Sequence, residues 1–188
     1  MRIAILTISD AGARGERTSD GSGDAIAAWV KERHGAGGTE RGATESGATG
    51  TSTAGGDTIV ARTLVADDVT AIAAQLAAWC DGDAADLVLT TGGTGLAPRD
   101  ITPEATREVL EREAPGIAER IRALSLTTFP RAALSRGLAG VRARTLIINL
   151  PGSTSGVRDG LAAIEPIIEH AVRITRGVDT HHESGSTK

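Results

Sequence analysis

The stretch LVLTTGGTGLAPRDITPEAT, residues 87–106, decides how this chain folds. Its first five residues, Leu87–Thr91, are apolar or β-branched, which predicts a buried strand. The strand leads directly into Gly92-Gly93-Thr94-Gly95, where backbone N–H groups can approach a phosphate or a carboxylate closely. Thr102-Pro103-Glu104 then predicts a helix start, with Thr102 as the cap and Pro103 at the first helical position. The glycine turn taken alone is equally compatible with a tight connection that binds nothing.

The same alternation of strand and helix extends in both directions from this stretch. Further strands are predicted at 3–8, 58–65 and 145–150, and helices at 22–33, 69–77, 102–113, 116–126 and 155–176, the last divided at Pro166, with a short helical or turn region at 132–138. The strands are continuous apolar runs, which are typical of a parallel sheet covered on both faces. The pattern predicts an α/β fold, a three-layer sandwich with a mainly parallel central sheet.

Composition limits the classes of partner. The chain has 188 residues and a net charge of −4, and 2% of its residues are aromatic, with no Tyr. Nucleic-acid binding usually relies on a basic face and on aromatic side chains that stack on bases, so this composition argues against it. No stretch approaches the ~20 apolar residues of a membrane span, and no signal-peptide pattern is present, which predicts a cytoplasmic protein. The single cysteine, Cys80, excludes an internal disulfide and predicts a buried thiol.

The sequence predicts a single domain over residues 1–178 and a flexible tail at 179–188. Within the domain, residues 34–57 contain no Val, Ile, Leu or aromatic residue. Such a segment cannot bury enough apolar surface to offset the entropy of ordering, so we predict a disordered insertion there.

Polar residues follow each predicted strand, at the edge where parallel α/β sheets bind ligands. They are Ser9 and Asp10 after the first strand, Asp67 and Asp68 after the second, Gly92–Gly95 with Arg99 and Asp100 after the third, and Asn149, Pro151, Gly152 and Ser153 after the last. The loops assigned to the opposite edge, 31–57, 80–86 and 136–144, are blander. A carboxylate beside an anion-binding turn suits a Mg²⁺ ion that bridges it to phosphates, which would explain Asp100. A helix-capping role remains the alternative for both Asp67 and Asp100.

The segment 91–106 resembles the signature of the molybdopterin-binding domain family, which includes the molybdopterin adenylyltransferases, the MoaB-type proteins and the G domain of gephyrin. Further matches occur in the family's order, at Ser9-Asp10, 20–23, 64–69, 134–136 and 149–153. The resemblance covers about residues 2–177 apart from the insertion, which replaces a short turn of the family. Because the insertion is predicted at the edge away from the site, we expect catalysis to survive its deletion.

The resemblance implies transfer of AMP from Mg·ATP to the terminal phosphate of molybdopterin by a homotrimer, with the product used by a molybdenum insertion enzyme. Its two critical carboxylates correspond to Asp67 and Asp100, the expected catalytic and magnesium-binding residues. Gly92, Gly93, Thr94 and Gly95 would donate to phosphate oxygens, and Ser135, Arg136 and Arg99 would meet the pterin phosphate. The remaining expected substrate-binding residues are Ser9, Asp10, Asn149, Pro151, Gly152 and Ser153, with Asn149 and Gly152 lining the nucleotide pocket.

Two other functions remain open at this point. A MoaB-like protein would bind molybdopterin without adenylylating it, and it could retain both carboxylates. A nucleotide hydrolase is the third hypothesis, because similar domains occur fused within larger competence-linked proteins. Zinc chemistry is disfavoured, since His34 and His170 stand alone and His181-His182 lie in the polar tail.

Overall fold

The structure, a computed structural model, describes residues 1–16, 19–36 and 56–178. In these residues six strands form one sheet in the order β2-β1-β3-β6-β5-β4. The first four strands in this order are mutually parallel, whereas β5 is antiparallel to β6 and β4 is antiparallel to β5. The strands are β1 Arg2–Ile8, β2 Thr58–Val65, β3 Leu87–Thr91, β4 Arg112–Glu113, β5 Ala139–Arg142 and β6 Thr145–Leu150. The predicted mainly parallel sheet is confirmed.

Helices cover both faces of the sheet. They are α1 Asp10–Ala13, α2 Gly21–Ala36, α3 Val69–Asp81, α4 Thr102–Val109, α5 Pro115–Leu126, α6 Thr154–Ile164 and α7 Ile168–Thr175, with a 3-10 segment at Pro130–Leu134. Residues of α3 and α4 pack on one face, and residues of α2, α5, α6 and α7 pack on the other. The predicted division of the last helix at Pro166 is confirmed. β3 lies between β1 and β6, and helices cover it on both faces of the sheet. This explains why all five of its residues are buried.

The region after the glycine turn differs from the prediction in four places. Thr102 is the first residue of α4 instead of its cap, and its hydroxyl donates to the carbonyl oxygen of Gly92 at 2.8 Å. The helix ends at Val109, short of the predicted end near residue 113, because Arg112–Glu113 forms β4. Pro115 begins α5, where its fixed φ and missing N–H suit the first helical turn. The short helical region predicted at 132–138 is the 3-10 segment Pro130–Leu134.

Both ends of the predicted insertion are ordered. α2 continues through Ala36, past the predicted start of the insertion at residue 34. Asp57 accepts from the Met1 ammonium group at 2.7 Å and from Arg33 Nε at 2.5 Å. Gly56 lies so close to α2 that a Cβ on it would be 3.2 Å from the Cα of His34. Residues 37–55 and 179–188, which carry the rest of the predicted insertion and the tail, lie outside the described residues.

The remaining expectations concern the burial of Cys80 and the presence of membrane-spanning helices. Cys80 is buried as predicted, and desolvation raises the pKa of its thiol to about 11. No helix in the described ranges is long and apolar enough to cross a membrane.

Candidate active site

A cavity of about 490 Å³ opens at the carboxyl ends of β3 and β6. Its volume falls in the range of sites that hold small molecules. The wall is built from the glycine turn, the end of α5, the 3-10 segment and the first turns of α6. The lining residues are Gly93, Thr94, Gly95, Asp100, Ile121, Arg122, Ser125, Phe129, Arg131, Ala132, Leu134, Ser135, Pro151, Gly152, Ser153, Ser155, Gly156 and Asp159. Eight of the predicted site residues are therefore brought together here: Gly93, Thr94, Gly95, Asp100, Ser135, Pro151, Gly152 and Ser153.

The glycine turn has a backbone that other residues adopt only with strain. Gly92 has a φ of +103° and Gly93 a φ of +61°. A Cβ on Gly92 would overlap the carbonyl oxygen of Ile8, and one on Gly93 would lie 2.5 Å from Thr102 Oγ1. The turn thus passes close to the end of β1 and to the start of α4. Thr102 is predicted from the sequence to cap α4, but in the structure its hydroxyl holds the glycine turn in place.

Asp100 stands at one side of this turn. Its Oδ2 accepts from the backbone N–H of Ala97 at 2.8 Å and would lie 2.8 Å from a Cβ on Gly95. The carboxylate is held within its own loop, so the capping alternative for Asp100 does not describe this structure. The adjoining helix α4 has no side-chain cap.

Asp67 stands at the other side of the turn. Its Oδ1 would lie 3.3 Å from a Cβ on Gly93, and its Oδ2 accepts from the backbone N–H of Asp10 at 2.8 Å. The neighbouring Asp68 is the residue that caps α3, through the N–H of Ala71 at 2.8 Å. Asp67 therefore does not cap α3, and its carboxylate remains available beside the glycine turn, although it does not line the cavity itself.

The charge of Asp100 acts on Asp67. Burial raises the pKa of Asp67, and the negative charge of Asp100 raises it further. This repulsion is what a cation between the carboxylates would relieve. Among the described residues no group of three or more His, Cys, Asp or Glu side chains is arranged to hold a metal ion. Mg²⁺ commonly takes one or two carboxylates, with water and substrate phosphates as its other ligands, so Asp67 and Asp100 fit that ion.

Arg136 is hydrogen-bonded to the glycine turn and to the start of α4. Its backbone N–H donates to the carbonyl of Thr94 at 2.8 Å, and its Nε donates to the carbonyl of Gly95 at 2.7 Å. The guanidinium also contacts the Asp100 carbonyl and the Glu104 carboxylate. The sequence predicts instead that Arg136 meets the pterin phosphate and that its loop starts at the opposite edge of the sheet. Because β5 runs antiparallel, Arg136 lies at the ligand edge and braces the turn.

Asn149 lies beneath the cavity instead of lining it. Its Nδ2 donates to Thr90 Oγ1 and Thr106 Oγ1, both at 3.0 Å, and its Oδ1 accepts from the N–H of Leu138 at 3.1 Å. All of its polar side-chain atoms are engaged and the residue is 3% exposed. The physical role of Asn149 is to join three elements under the site, which differs from the predicted contact with nucleotide.

The first loop and Arg99 lie beside the cavity but do not line it. Ser9 caps α1 by accepting from the N–H of Gly12 at 3.2 Å. The Arg99 guanidinium lies against the Asp10 carboxylate. Gly92, the remaining predicted site residue, forms the back of the turn, next to Gly152.

The part of the wall that comes from α5 and the 3-10 segment is not predicted from the sequence. Ile121, Arg122, Phe129 and Arg131 line the cavity, as do Ser155 and Asp159 of α6. A signal was available in the segment 127–136, because Phe129 is the only Phe of a chain that has very few aromatic residues.

Residues 4–170 match the family model described as "Probable molybdopterin binding domain". The chain belongs to this family. The resemblance expected from the glycine turn and its flanking motifs is confirmed, since the match includes the glycine turn and every residue that lines the cavity.

Relatives with a stated role are similar over part of their length. The molybdopterin adenylyltransferase of Helicobacter pylori strain J99 is 47% identical over 112 residues, covering 60% of this chain and 64% of that protein. The molybdenum cofactor synthesis protein cinnamon of Drosophila melanogaster is 45% identical over 108 residues, covering 57% of this chain and 18% of that protein. The chain thus matches less than two thirds of the length of either relative.

Solved structures are similar over nearly the whole fold. The molybdopterin biosynthesis enzyme MoaB of Thermus thermophilus has a TM-score of 0.77 at 45% identity, covering 94% of this chain and 96% of that one. This likeness confirms the predicted α/β fold.

Proposed function

We propose that this chain transfers AMP from ATP to the terminal phosphate of molybdopterin. One observation carries the proposal: Asp67 and Asp100 flank a glycine turn at the edge of a cavity large enough for small-molecule substrates. The family and the names of the similar proteins support molybdopterin and ATP as the substrates.

In the proposed reaction, an oxygen of the terminal phosphate of molybdopterin attacks the α-phosphorus of ATP. A new P–O bond forms, the bond between the α-phosphorus and the bridging oxygen breaks, and pyrophosphate leaves with the electron pair. The products are adenylylated molybdopterin and pyrophosphate. Since both reactants bring their own phosphates, the protein must mainly position them and offset negative charge.

The described residues supply both requirements. Gly93, Thr94 and Gly95 line the cavity and are suited to donate backbone N–H groups to phosphate oxygens. Asp67 and Asp100 would hold magnesium, which supplies neutralisation of phosphate charge when it is bound. Arg122 lines the same cavity and is fixed by donating from Nη1 to the Gly137 carbonyl at 3.0 Å. Its cationic head is thus a candidate for a phosphate of either substrate.

The assembly and the downstream partner belong to the same proposal. The family resemblance supports a homotrimer that passes its product to a molybdenum insertion enzyme. Light scattering after size-exclusion chromatography tests the trimer, and a monomeric mass would contradict it.

A product assay tests the activity. Purified protein is mixed with molybdopterin, ATP and Mg²⁺, and pyrophosphate and the AMP adduct are measured by chromatography. We expect both products in equal amounts and neither without molybdopterin. Binding of molybdopterin without pyrophosphate release would favour the non-adenylylating alternative, and ATP hydrolysis independent of molybdopterin would favour a hydrolase.

A further inference from the structure

The proposed function assigns no role to the part of the cavity wall around Phe129. This residue is 48% exposed and lines the cavity. Single exposed apolar side chains are ordinary on a protein surface. Phe129 differs because it lines the same cavity as Asp100 and the glycine turn.

The Arg131 guanidinium lies over the ring of Phe129. Its guanidinium carbon lies 5.0 Å from the centroid of the Phe129 ring, and both side chains line the cavity. Aromatic rings and guanidinium planes both stack on flat heteroaromatic rings. Phe129 and Arg131 therefore each offer the cavity a planar group on which a heteroaromatic ring can stack.

The surroundings of the pair suit a ring with polar edges. Ile121 and Leu134 add apolar surface, while Ser155 and Asp159 line the cavity from α6. Ser155 and Asp159 are four residues apart in one helix, so they lie on the same face of it. Their oxygens are able to accept from the exocyclic amino group of a purine or a pterin.

Backbone hydrogen bonds fix the segment that carries the pair. The N–H of Phe129 donates to the Ser125 carbonyl at 2.9 Å, and the N–H of Ser135 donates to the Ala132 carbonyl at 3.1 Å. Pro130 further restricts the chain between Phe129 and Arg131. A fixed platform binds a ring with less loss of conformational entropy than a mobile loop does.

We propose that Phe129, Arg131, Ile121, Leu134 and Asp159 form a ring-binding lobe, which holds a bicyclic nitrogen heterocycle by stacking on Phe129. The heterocycle is the adenine of ATP or the pterin of molybdopterin, so the inference rests on the proposed function. The phosphates of the same ligand extend from the lobe towards the glycine turn.

Direct titration tests the lobe separately from turnover. The probes are a non-hydrolysable ATP analogue with Mg²⁺, followed by calorimetry, and 6-hydroxymethylpterin, followed by its own fluorescence. The variants are Phe129→Leu, which keeps the apolar volume, and Phe129→Tyr, which keeps the aromatic ring. Leu126→Ala is the matched control, because Leu126 is 42% exposed at the end of α5, three residues before Phe129, and does not line the cavity.

We expect Phe129→Leu to weaken the binding of one probe by roughly tenfold and to leave the other within about twofold. Phe129→Tyr and Leu126→Ala should leave both affinities within about twofold. Loss for the ATP analogue assigns the lobe to adenine, and loss for the pterin assigns it to molybdopterin.

Three results would overturn the proposal: unchanged affinities in Phe129→Leu, equal losses in Phe129→Leu and Phe129→Tyr, or no binding of either probe by the unmodified chain. If the probes bind as expected and the product assay yields no AMP adduct, the lobe stands and the adenylyltransferase proposal fails.

Discussion

Asp10 and Asp67 hold each other by a reciprocal pair of hydrogen bonds. The N–H of Asp10 donates to Asp67 Oδ2 at 2.8 Å, and the N–H of Asp67 donates to Asp10 Oδ1 at 2.9 Å. The arrangement joins the ends of two neighbouring parallel strands, β1 and β2, and it fixes the orientation of the Asp67 carboxylate. The other oxygen of Asp10, Oδ2, lies against the Arg99 guanidinium. Asp10 is therefore a positioning residue for Asp67.

Removing the Asp10 side chain should impair turnover through Asp67. Asp10→Ala leaves the Asp67 N–H without its acceptor, and we expect a loss of about 1–3 kcal/mol in the free energy of unfolding. Turnover should fall by about tenfold or more, because the Asp67 carboxylate is no longer oriented. Chemical denaturation and the product assay measure the two effects. Asp10→Asn keeps an oxygen for the Asp67 N–H and should retain most of the stability; an Asp10→Ala variant with normal turnover would refute the positioning role.

Asp100 should be essential for activity and dispensable for the fold. Asn at this position keeps one oxygen for the N–H of Ala97 and loses the negative charge. We expect Asp100→Asn to lower turnover by about a hundredfold or more with little change in the melting temperature. The control is Asp81→Asn, which removes a carboxylate paired with Arg142 away from the cavity and should leave turnover normal. Near-normal turnover in Asp100→Asn would exclude a metal-binding role for this residue.

Gly95 should be needed because of its distance from Asp100. A Cβ on Gly95 would lie 2.8 Å from Asp100 Oδ2, so Gly95→Ala must push the carboxylate away. Gly95 has an ordinary φ, hence we expect the fold to persist while turnover falls by about a hundredfold. Gly116→Ala is the matched control, because a Cβ there would meet nothing within 4 Å. It should change the free energy of unfolding by less than about 1 kcal/mol and leave turnover intact.

The sequence predicted the four parallel strands well because they are continuous apolar runs. It missed the two antiparallel strands for local reasons. β4 has two residues, and β5 contains Gly140, which weakens the strand pattern. That glycine is required by the packing, since a Cβ there would lie 2.5 Å from the carbonyl oxygen of Arg112 on the neighbouring strand. Such a close approach of two backbones is a property of the folded state.

The candidate site was predictable where one loop carries it. Gly93, Gly95 and Asp100 lie within a single loop, and their proximity follows from their spacing. The link from Asp10 to Asp67 spans 57 positions in the chain, so it depends on the pairing of β1 with β2. Phe129 enters the wall because α5 leads the chain back to the cavity, which no local pattern shows.

Neutralising Asp67 should stabilise the fold while abolishing activity. The pKa of Asp67 is raised in the folded chain, so its ionised form costs stability wherever it is charged. Asp67→Asn should therefore be more stable than the unmodified chain at pH 7–8, and the advantage should fade as the pH falls through about 4, where the carboxyl is protonated in both states. Thermal unfolding at several pH values measures the difference. Mg²⁺ should raise the melting temperature of the unmodified chain and not that of Asp67→Asn. A variant less stable than the unmodified chain at pH 8 would contradict the raised pKa, which comes from burial and from the charge of Asp100.

Deleting residues 37–55 should leave catalysis intact. Ala36 ends α2 and Gly56 precedes β2, at the start of the parallel strands, whereas the cavity lies at their other end. Because Gly56 packs against His34 in the last turn of α2, we join Ala36 to Gly56 with two glycines in the deletion variant. We expect kcat/KM to stay within about twofold, and the free energy of unfolding to rise by about 1–2 kcal/mol because a shorter loop costs less entropy to close. The control replaces 37–55 with a Gly/Ser segment of equal length, which should keep both activity and stability. A tenfold loss of kcat/KM in both variants, with unchanged melting temperatures, would show that this segment serves the reaction after all.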